Sequence, residues 1–268
     1  MPKSRLAAVI RAANAQGRAA FIPYIGSGDP ALKWTGVFVD ALCAAGADII
    51  ELGVPFSDPM ADGPVNQRAA ERALAAGTTL SGILREVGKL RARGVNIPIV
   101  LFTYYNPIYR MGLKAFAQRA RASGVDGALI VDLPPEEAGP YLKAARAACL
   151  ETVFLAAPTT TVQRLRRIGA ASSGFVYYVS RLGVTGERTS LSGSLAAELA
   201  GIRRRVALPV AVGFGISTPQ QAAAAGCLAD AVVVGSALVR IIEENPAPKA
   251  AKLLRRRARA LAASLERH

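Results

Sequence analysis

The chain has 268 residues, 51% hydrophobic side chains and a formal net charge of +14. A chain of this length buries enough surface to fold without disulfides or structural metals. Its single histidine, His268, is the last residue, which excludes catalytic triads and metal sites that need an imidazole inside a pocket.

Short apolar runs alternate with stretches of helical periodicity, a pattern typical of βα units around a parallel sheet. A first helix is predicted over 4–16, before the first apolar run. The predicted strands are 19–25, 48–54, 97–104, 125–132, 151–157, 174–180, 208–214 and 230–235. The helices predicted between and after them are 34–45, 66–76, 79–93, 113–123, 139–149, 161–171, 194–206, 218–225 and 236–244.

The alternation of eight strands with helices predicts an α/β fold of one closed barrel. Closure into a (β/α)8 TIM barrel is favoured because it leaves no edge strand unpaired. An open doubly wound sheet is less favoured, since the glycine fingerprint GxGxxG does not follow the first strand. We interpret residues 1–268 as a single domain with an extra N-terminal helix and a basic C-terminal helix.

The basic C-terminal segment accounts for much of the positive charge. Residues 249–268 hold seven Lys or Arg, while Leu254, Ala258, Leu261 and Leu265 recur at helical spacing. This pattern predicts an amphipathic helix whose basic face is solvated. Aromatic residues do not interleave the basic ones as they do in single-strand binders. We therefore expect no nucleic-acid partner, although a basic nucleic-acid-binding barrel is the alternative to an enzyme.

Cysteine spacing and hydropathy point to a cytoplasmic protein. The three cysteines lie far apart, with no paired spacing for zinc or redox chemistry. The N-terminus lacks the apolar run of a signal peptide. Apolar runs elsewhere stop well short of the roughly 20 residues that span a bilayer, so no membrane partner is expected.

Glu51 stands out because it lies inside an otherwise apolar predicted strand. Burying a carboxylate is costly unless it is paired or neutralised. Glu51 is therefore either a structural acid satisfied by neighbours or facing outward, or a general acid and base with a pKa raised by burial. The residue pattern leaves both interpretations open.

Other candidate groups follow the predicted strands, where barrel enzymes place their active sites. Asp58 and Asp62 lie in the loop after strand 2, and Asp132 ends strand 4. Such residues are also common turn formers, and spacing alone does not say which contacts a ligand. No lysine ends a predicted strand, so a Schiff-base mechanism is not expected.

Two glycine-bearing segments suggest a phosphate site. Residues 213–217 (GFGIS) follow strand 7 and residues 235–236 (GS) follow strand 8, the places where barrels often bind phosphate. The alternative is that these glycines only turn the chain. The polar segment 181–193 after strand 6 is either a lid that excludes water or a passive surface loop.

Five motifs in chain order resemble the tryptophan synthase alpha chain family over about residues 20 to 240. They are GDP at 28–30, ELGVPFSDPMADGP at 51–64, YYNP at 104–107, SRLGVTG at 180–186 and GFGIS at 213–217. The resemblance implies a TIM-barrel lyase that cleaves indole-3-glycerol phosphate to indole and glyceraldehyde 3-phosphate. It implies retro-aldol cleavage with no metal and no organic cofactor.

The resemblance also implies roles for individual residues. Glu51 matches the family's catalytic glutamate, which moves protons, and Asp62 matches the aspartate that holds the indole N–H. Tyr177 matches an active-site tyrosine, although a barrel-core aromatic is nearly as good an interpretation. The implied substrate-binding residues are Phe102, Leu129, Thr185, Gly186, Phe214, Gly215, Gly235 and Ser236.

Members of this family work with a beta chain that joins indole to serine using pyridoxal phosphate. The resemblance therefore implies this partner and an alpha2beta2 heterotetramer. Pro55, Asp58 and the loop carrying Asn106 would lie near the partner, and Thr185 would signal lid closure. The alternative within the fold is a stand-alone indole-3-glycerol phosphate lyase with the same catalytic residues.

Overall fold

The computed structural model describes residues 4–179, 188–213 and 215–267, and for residues 188–193 the backbone only. Eight parallel strands of this described part form a closed barrel. They are β1 (Ala20–Gly26), β2 (Ile50–Gly53), β3 (Ile99–Thr103), β4 (Gly127–Ile130), β5 (Glu151–Ala156), β6 (Val176–Val179), β7 (Val210–Gly213) and β8 (Ala231–Val234). Each strand pairs with its neighbours in chain order, and β8 pairs with β1. The predicted TIM barrel is confirmed.

The helices lie outside the barrel, except for the first one. They are α1 (Arg5–Ala15), α2 (Leu32–Cys43), α3 (Pro64–Ala75), α4 (Leu80–Ala92), α5 (Tyr105–Met111), α6 (Leu113–Ala122), α7 (Gly139–Ala147), α8 (Val162–Ala171), α9 (Arg188–Arg203), α10 (Pro219–Gly226), α11 (Ser236–Glu244) and α12 (Ala247–Ala263). None of the described helices has the length and apolarity needed to cross a membrane. The interpretation of the whole chain as one domain stays a prediction.

Side chains alternate along each strand between the helices and the barrel interior. In β2, Ile50 and Leu52 pack outward into the layer shared with the helices. Ile49 packs inside the barrel, and the alternation places Glu51 on the same inner side. The alternation of side chains in this strand therefore directs one acid into the barrel interior.

Helix α1 closes the opposite end of the barrel. Its buried residues Leu6, Ile10 and Ala13 pack with Phe175 and other interior side chains. The Ser4 side chain accepts a hydrogen bond from the Ala7 N–H and caps the helix. The barrel therefore opens to a ligand at the end where its strands finish.

Two helices show how well local pattern predicted structure. In α12, Leu254, Ala258 and Leu261 are fully buried, which confirms the amphipathic basic helix. The short helix α5 was not predicted, and it contains Asn106, which the sequence placed in a loop. Its start is stabilised by the carboxylate of Asp132, which accepts the Tyr105 N–H at 2.7 Å. That acceptor is distant in sequence, so local pattern could not reveal it.

Candidate active site

A cavity of about 270 Å³ lies at the end of the barrel where the strands finish. Its lining brings together seven residues that sequence analysis selected, from five separate strand ends. They are Glu51, Asp62, Phe102, Tyr177, Gly215, Gly235 and Ser236. The geometry therefore assembles acids, aromatic walls and glycine turns in one place.

Glu51 lies in the wall of this cavity with almost no exposed surface. Within the described part of the chain its Oε1 atom has no hydrogen-bond partner. Burial, together with the nearby charge of Asp62, raises the pKa of Glu51 from 4.5 to about 8. A carboxyl group in this state is protonated near neutral pH and can both give and take a proton. Glu51 therefore faces the cavity and not the space between the helices, and no described residue satisfies its Oε1 atom.

Asp62 lies in the loop between β2 and α3 and is half-buried. The Tyr104 hydroxyl donates a hydrogen bond to its Oδ2 at 2.8 Å and accepts one from the Ala61 N–H at 3.0 Å. Burial raises the pKa of Asp62, while hydrogen bonds from Tyr104 and Asn66 oppose that rise by favouring the charged form. The two carboxyl groups therefore lie in unlike environments: Asp62 is hydrogen-bonded, whereas the Oε1 atom of Glu51 has no hydrogen-bond partner among the described residues.

Two tyrosines, Tyr24 of β1 and Tyr177 of β6, interact electrostatically with Glu51. Glycines at the ends of β2 and β7 make room for them. A Cβ atom on Gly53 would lie 2.2 Å from the Tyr24 hydroxyl oxygen, and one on Gly213 would lie 2.2 Å from that of Tyr177. Burial is the main cause that raises the pKa of both phenols, and the charges of Glu51 and Asp62 raise it further. Both therefore stay neutral and can donate hydrogen bonds.

An apolar wall completes the part of the cavity near the acids. The rings of Tyr24 and Phe102 meet edge to face, with centroids 5.4 Å apart and planes at 77°. This geometry is favourable for aromatic pairs and leaves flat faces for a third ring. The cavity can therefore hold an aromatic ligand beside two carboxyl groups.

The glycine turns after β7 and β8 form another part of the cavity lining. Gly215 has a φ of 72°, a left-handed conformation that favours glycine. Gly235 is the N-cap residue of α11 and provides no side-chain cap. The first N–H groups of that helix, beginning at Ser236, therefore have no partner within the helix and can bind an anion.

The other predicted site residues are placed differently. Leu129 is fully buried among the interior side chains of the barrel and does not line the cavity. Thr185, Gly186 and Phe214 lie outside the described residues.

The GDP motif at 28–30 has a structural role next to the cavity. Asp29 is fully buried and accepts two hydrogen bonds from Arg72 of α3, each at 2.8 Å. Arg72 also contacts Glu243 of α11 at 3.0 Å, and Arg68 pairs with the same acid at 2.6 Å. This network joins α3, which follows the loop carrying Asp62, to α11, which begins after Gly235.

Sequence reasoning did not select four polar side chains that line or support the cavity. They are Tyr24, Asn66, Tyr104 and Arg240. Asn66 is notable because its Oδ1 atom is buried and has no hydrogen-bond partner in the described ranges. The spacing in the sequence could have indicated Asn66. It follows Asp62 by four residues, about one helical turn, and α3 begins between them.

No described lysine lines the cavity. Nor do three or more metal-ligating side chains come together anywhere in the described ranges. The chemistry available at this site is therefore that of carboxyl groups, phenols, an amide, an arginine and backbone N–H groups.

The comparisons with known proteins agree with this geometry. The family model of the tryptophan synthase alpha chain matches residues 10–266. A tryptophan synthase alpha chain of Burkholderia cenocepacia is 50% identical over 248 residues, which is 92% of this chain and 91% of the relative. One of Burkholderia pseudomallei is also 50% identical, and the match covers 92% of each chain.

Solved structures give the same result. A chain in a crystal structure of tryptophan synthase from Mycobacterium tuberculosis is 37% identical, with a TM-score of 0.88 over 98% of this chain and 99% of that one. The tryptophan synthase alpha subunit of Legionella pneumophila is 36% identical, with a TM-score of 0.89 over 98% of both. The chain therefore belongs to the tryptophan synthase alpha chain family, the lyases that cleave indole-3-glycerol phosphate in tryptophan biosynthesis.

Proposed function

We propose that Glu51 is the general acid and base, and Asp62 the charge stabiliser, for the cleavage of indole-3-glycerol phosphate by this chain. The observation that carries this proposal is the buried Glu51 carboxyl, which borders the cavity with an oxygen atom that no described group satisfies. A raised pKa keeps this group protonated at neutral pH. Burial raises the pKa of Asp62, and the hydrogen bond from Tyr104 opposes that rise by favouring the charged form.

The two groups suit the order of bond changes in a retro-aldol cleavage. Protonated Glu51 gives its proton to indole C3, and positive charge develops at the ring nitrogen, where Asp62 accepts the N–H. Ionised Glu51 then takes the proton of the hydroxyl on the carbon attached to C3. The carbon–carbon bond breaks, its electron pair returns to the ring, and a carbonyl forms. Indole and glyceraldehyde 3-phosphate leave, and Glu51 is again protonated.

The rest of the cavity fits the two ends of this substrate. The indole ring lies against Phe102 and Tyr177, and the phosphate binds the N–H groups at Gly215, Gly235 and Ser236. The family resemblance adds Thr185, Gly186 and Phe214 to this substrate site, with Leu129 behind its apolar wall.

We also propose that the chain works in the cytoplasm with a tryptophan synthase beta chain, as an alpha2beta2 heterotetramer. Two large apolar side chains near the cavity mouth support a partner surface there. Met60, in the loop that carries Asp62, is 86% exposed, and Tyr109 of α5 is 66% exposed. Covering them would exclude water from the mouth of the cavity and keep indole from escaping.

Release of indole from indole-3-glycerol phosphate by the purified chain tests this function directly. We expect slow release by the chain alone and faster release with a beta chain. High activity that a beta chain leaves unchanged would favour the stand-alone lyase. No indole under either condition would contradict the proposed reaction.

Tyr104→Phe should lower kcat for indole release by about tenfold, the effect of losing one hydrogen bond to a charged group. The variant removes the donor that Asp62 receives at 2.8 Å, so the pKa of Asp62 should rise and activity at acid pH should fall further. Tyr141→Phe is the matched control, because that buried phenol has no hydrogen-bond partner in the described ranges. Equal activity of the two variants would argue against a role for Tyr104.

The pH dependence of kcat/KM should report both carboxyl groups. Glu51 must be protonated to act first as an acid, so activity should fall as pH rises through about 8. Asp62 must be ionised, and its raised pKa should place the acid limb above the usual aspartate range. Steady-state indole release from about pH 5 to about pH 10 measures both limbs. A rate that stays constant through the alkaline range would contradict the role of Glu51.

A further inference from the structure

The proposed substrate would bring a strongly negative phosphate group into a cavity that already contains carboxyl groups. Two carboxyl groups, Glu51 and Asp62, line it together with a single described cation, Arg240. A phosphate monoester carries about −1.5 to −2 charge near neutral pH. Backbone N–H groups offer only partial charges to such an anion, so a full positive charge nearby would strengthen its binding.

Arg240 lies where the phosphate would bind. It follows Ser236 by four residues in α11, so the two side chains share one face of the helix. Leu238, Val239 and Ile242 are the buried residues of this helix and face away from solvent. The guanidinium group therefore lies on the cavity side of the helix, one turn beyond the glycine turn at its start.

Nearby acids do not hold Arg240. Glu243, one turn further along α11, is bound by Arg68 and Arg72, and their charges and hydrogen bonds lower its pKa to about 2. The described ion pairs include none to Arg240, whereas Arg72 is fixed by the buried Asp29. Glu243 thus has two other partners, and Glu244, four residues after Arg240, forms no ion pair with it among the described residues. This arginine is therefore available to a ligand.

We propose that Arg240 binds the phosphate group of the substrate and thereby determines the preference of the site for a phosphorylated glycerol chain. This inference rests on the proposed function and adds a side chain to a phosphate site otherwise made of backbone. A guanidinium group suits this role because its parallel N–H groups match two phosphate oxygens.

Arg240→Gln should raise KM for indole-3-glycerol phosphate by about ten- to a hundredfold while kcat changes little, since a charge-assisted hydrogen bond to a bound phosphate is lost. The dissociation constant for inorganic phosphate, measured by calorimetry, should rise by a similar factor. Cleavage of indole-3-glycerol, which lacks the phosphate, should be unaffected. Arg240→Lys should recover part of the affinity because it restores the charge.

Arg256→Gln is the matched control, because it removes one charge from the exposed face of α12 and should change none of these quantities. Unchanged KM and phosphate affinity in Arg240→Gln would overturn the proposal. Equal losses for indole-3-glycerol and its phosphate would also overturn it, since they would indicate a structural role. Calorimetry with phosphate does not require turnover, so it tests Arg240 even if the wild-type chain releases no indole.

Discussion

Glu51→Gln is expected to lower indole release by about 10²- to 10⁴-fold, the range in which a general acid and base contributes. Glutamine keeps the shape of the side chain but cannot transfer a proton, and no other described carboxyl group except Asp62 borders the cavity. Calorimetry should show that inorganic phosphate binds the variant as tightly as wild type, because the glycine turns follow β7 and β8 whereas Glu51 belongs to β2. Turnover near the wild-type rate would contradict the assignment.

The same variant, although it lowers activity, should raise the stability of the folded protein at alkaline pH. In the unfolded chain a glutamate ionises near pH 4.5, whereas in the folded protein burial raises the pKa of Glu51 to about 8. The folded state therefore loses stability as pH rises through this range, by a few kcal/mol in all. Glu51→Gln removes this loss, so the variant should match wild type in acid and resist urea better above about pH 8. Lower stability of the variant at every pH would indicate that Glu51 serves the fold.

The fold and Glu51 could be predicted because their signals are local. Each strand is a short apolar run, and the period of two in β2 places Glu51 on the face opposite Ile50 and Leu52. A carboxylate inside such an apolar run can be recognised from the local sequence, without knowing which residues it contacts. Its two possible roles could not be separated in sequence, because the difference depends on whether another chain segment supplies a hydrogen bond.

The supporting residues could not be predicted because they depend on contacts distant in sequence. Tyr104 reaches Asp62 across 42 residues, and only the pairing of β2 with β3 brings their loops together. Arg240 was hidden for another reason, since the chain holds 33 basic residues and its helix pattern resembles that of solvated ones. Arg240 differs from the solvated arginines because the nearby Glu243 already pairs with two other arginines. Only the packing of α3 against α11 reveals this.

Asp62→Asn should lower indole release by about 10²- to 10³-fold, as expected when one preorganised group that stabilises developing charge is removed. The neutral amide cannot balance the positive charge that forms on the ring nitrogen. Asp58→Asn makes the same chemical change in the same loop, at an exposed position outside the cavity lining. Assayed without a beta chain, this control should retain wild-type activity.

Asp62→Asn should also move the alkaline limb of the pH profile to lower pH. The charge of Asp62 contributes to the raised pKa of Glu51, although burial is the larger cause. Removing that charge should therefore bring the alkaline limb partway from about 8 toward the ordinary glutamate range. The residual activity of the variant, followed across pH, measures this shift. An unchanged alkaline limb would show that the charge of Asp62 does not contribute to the raised pKa of Glu51.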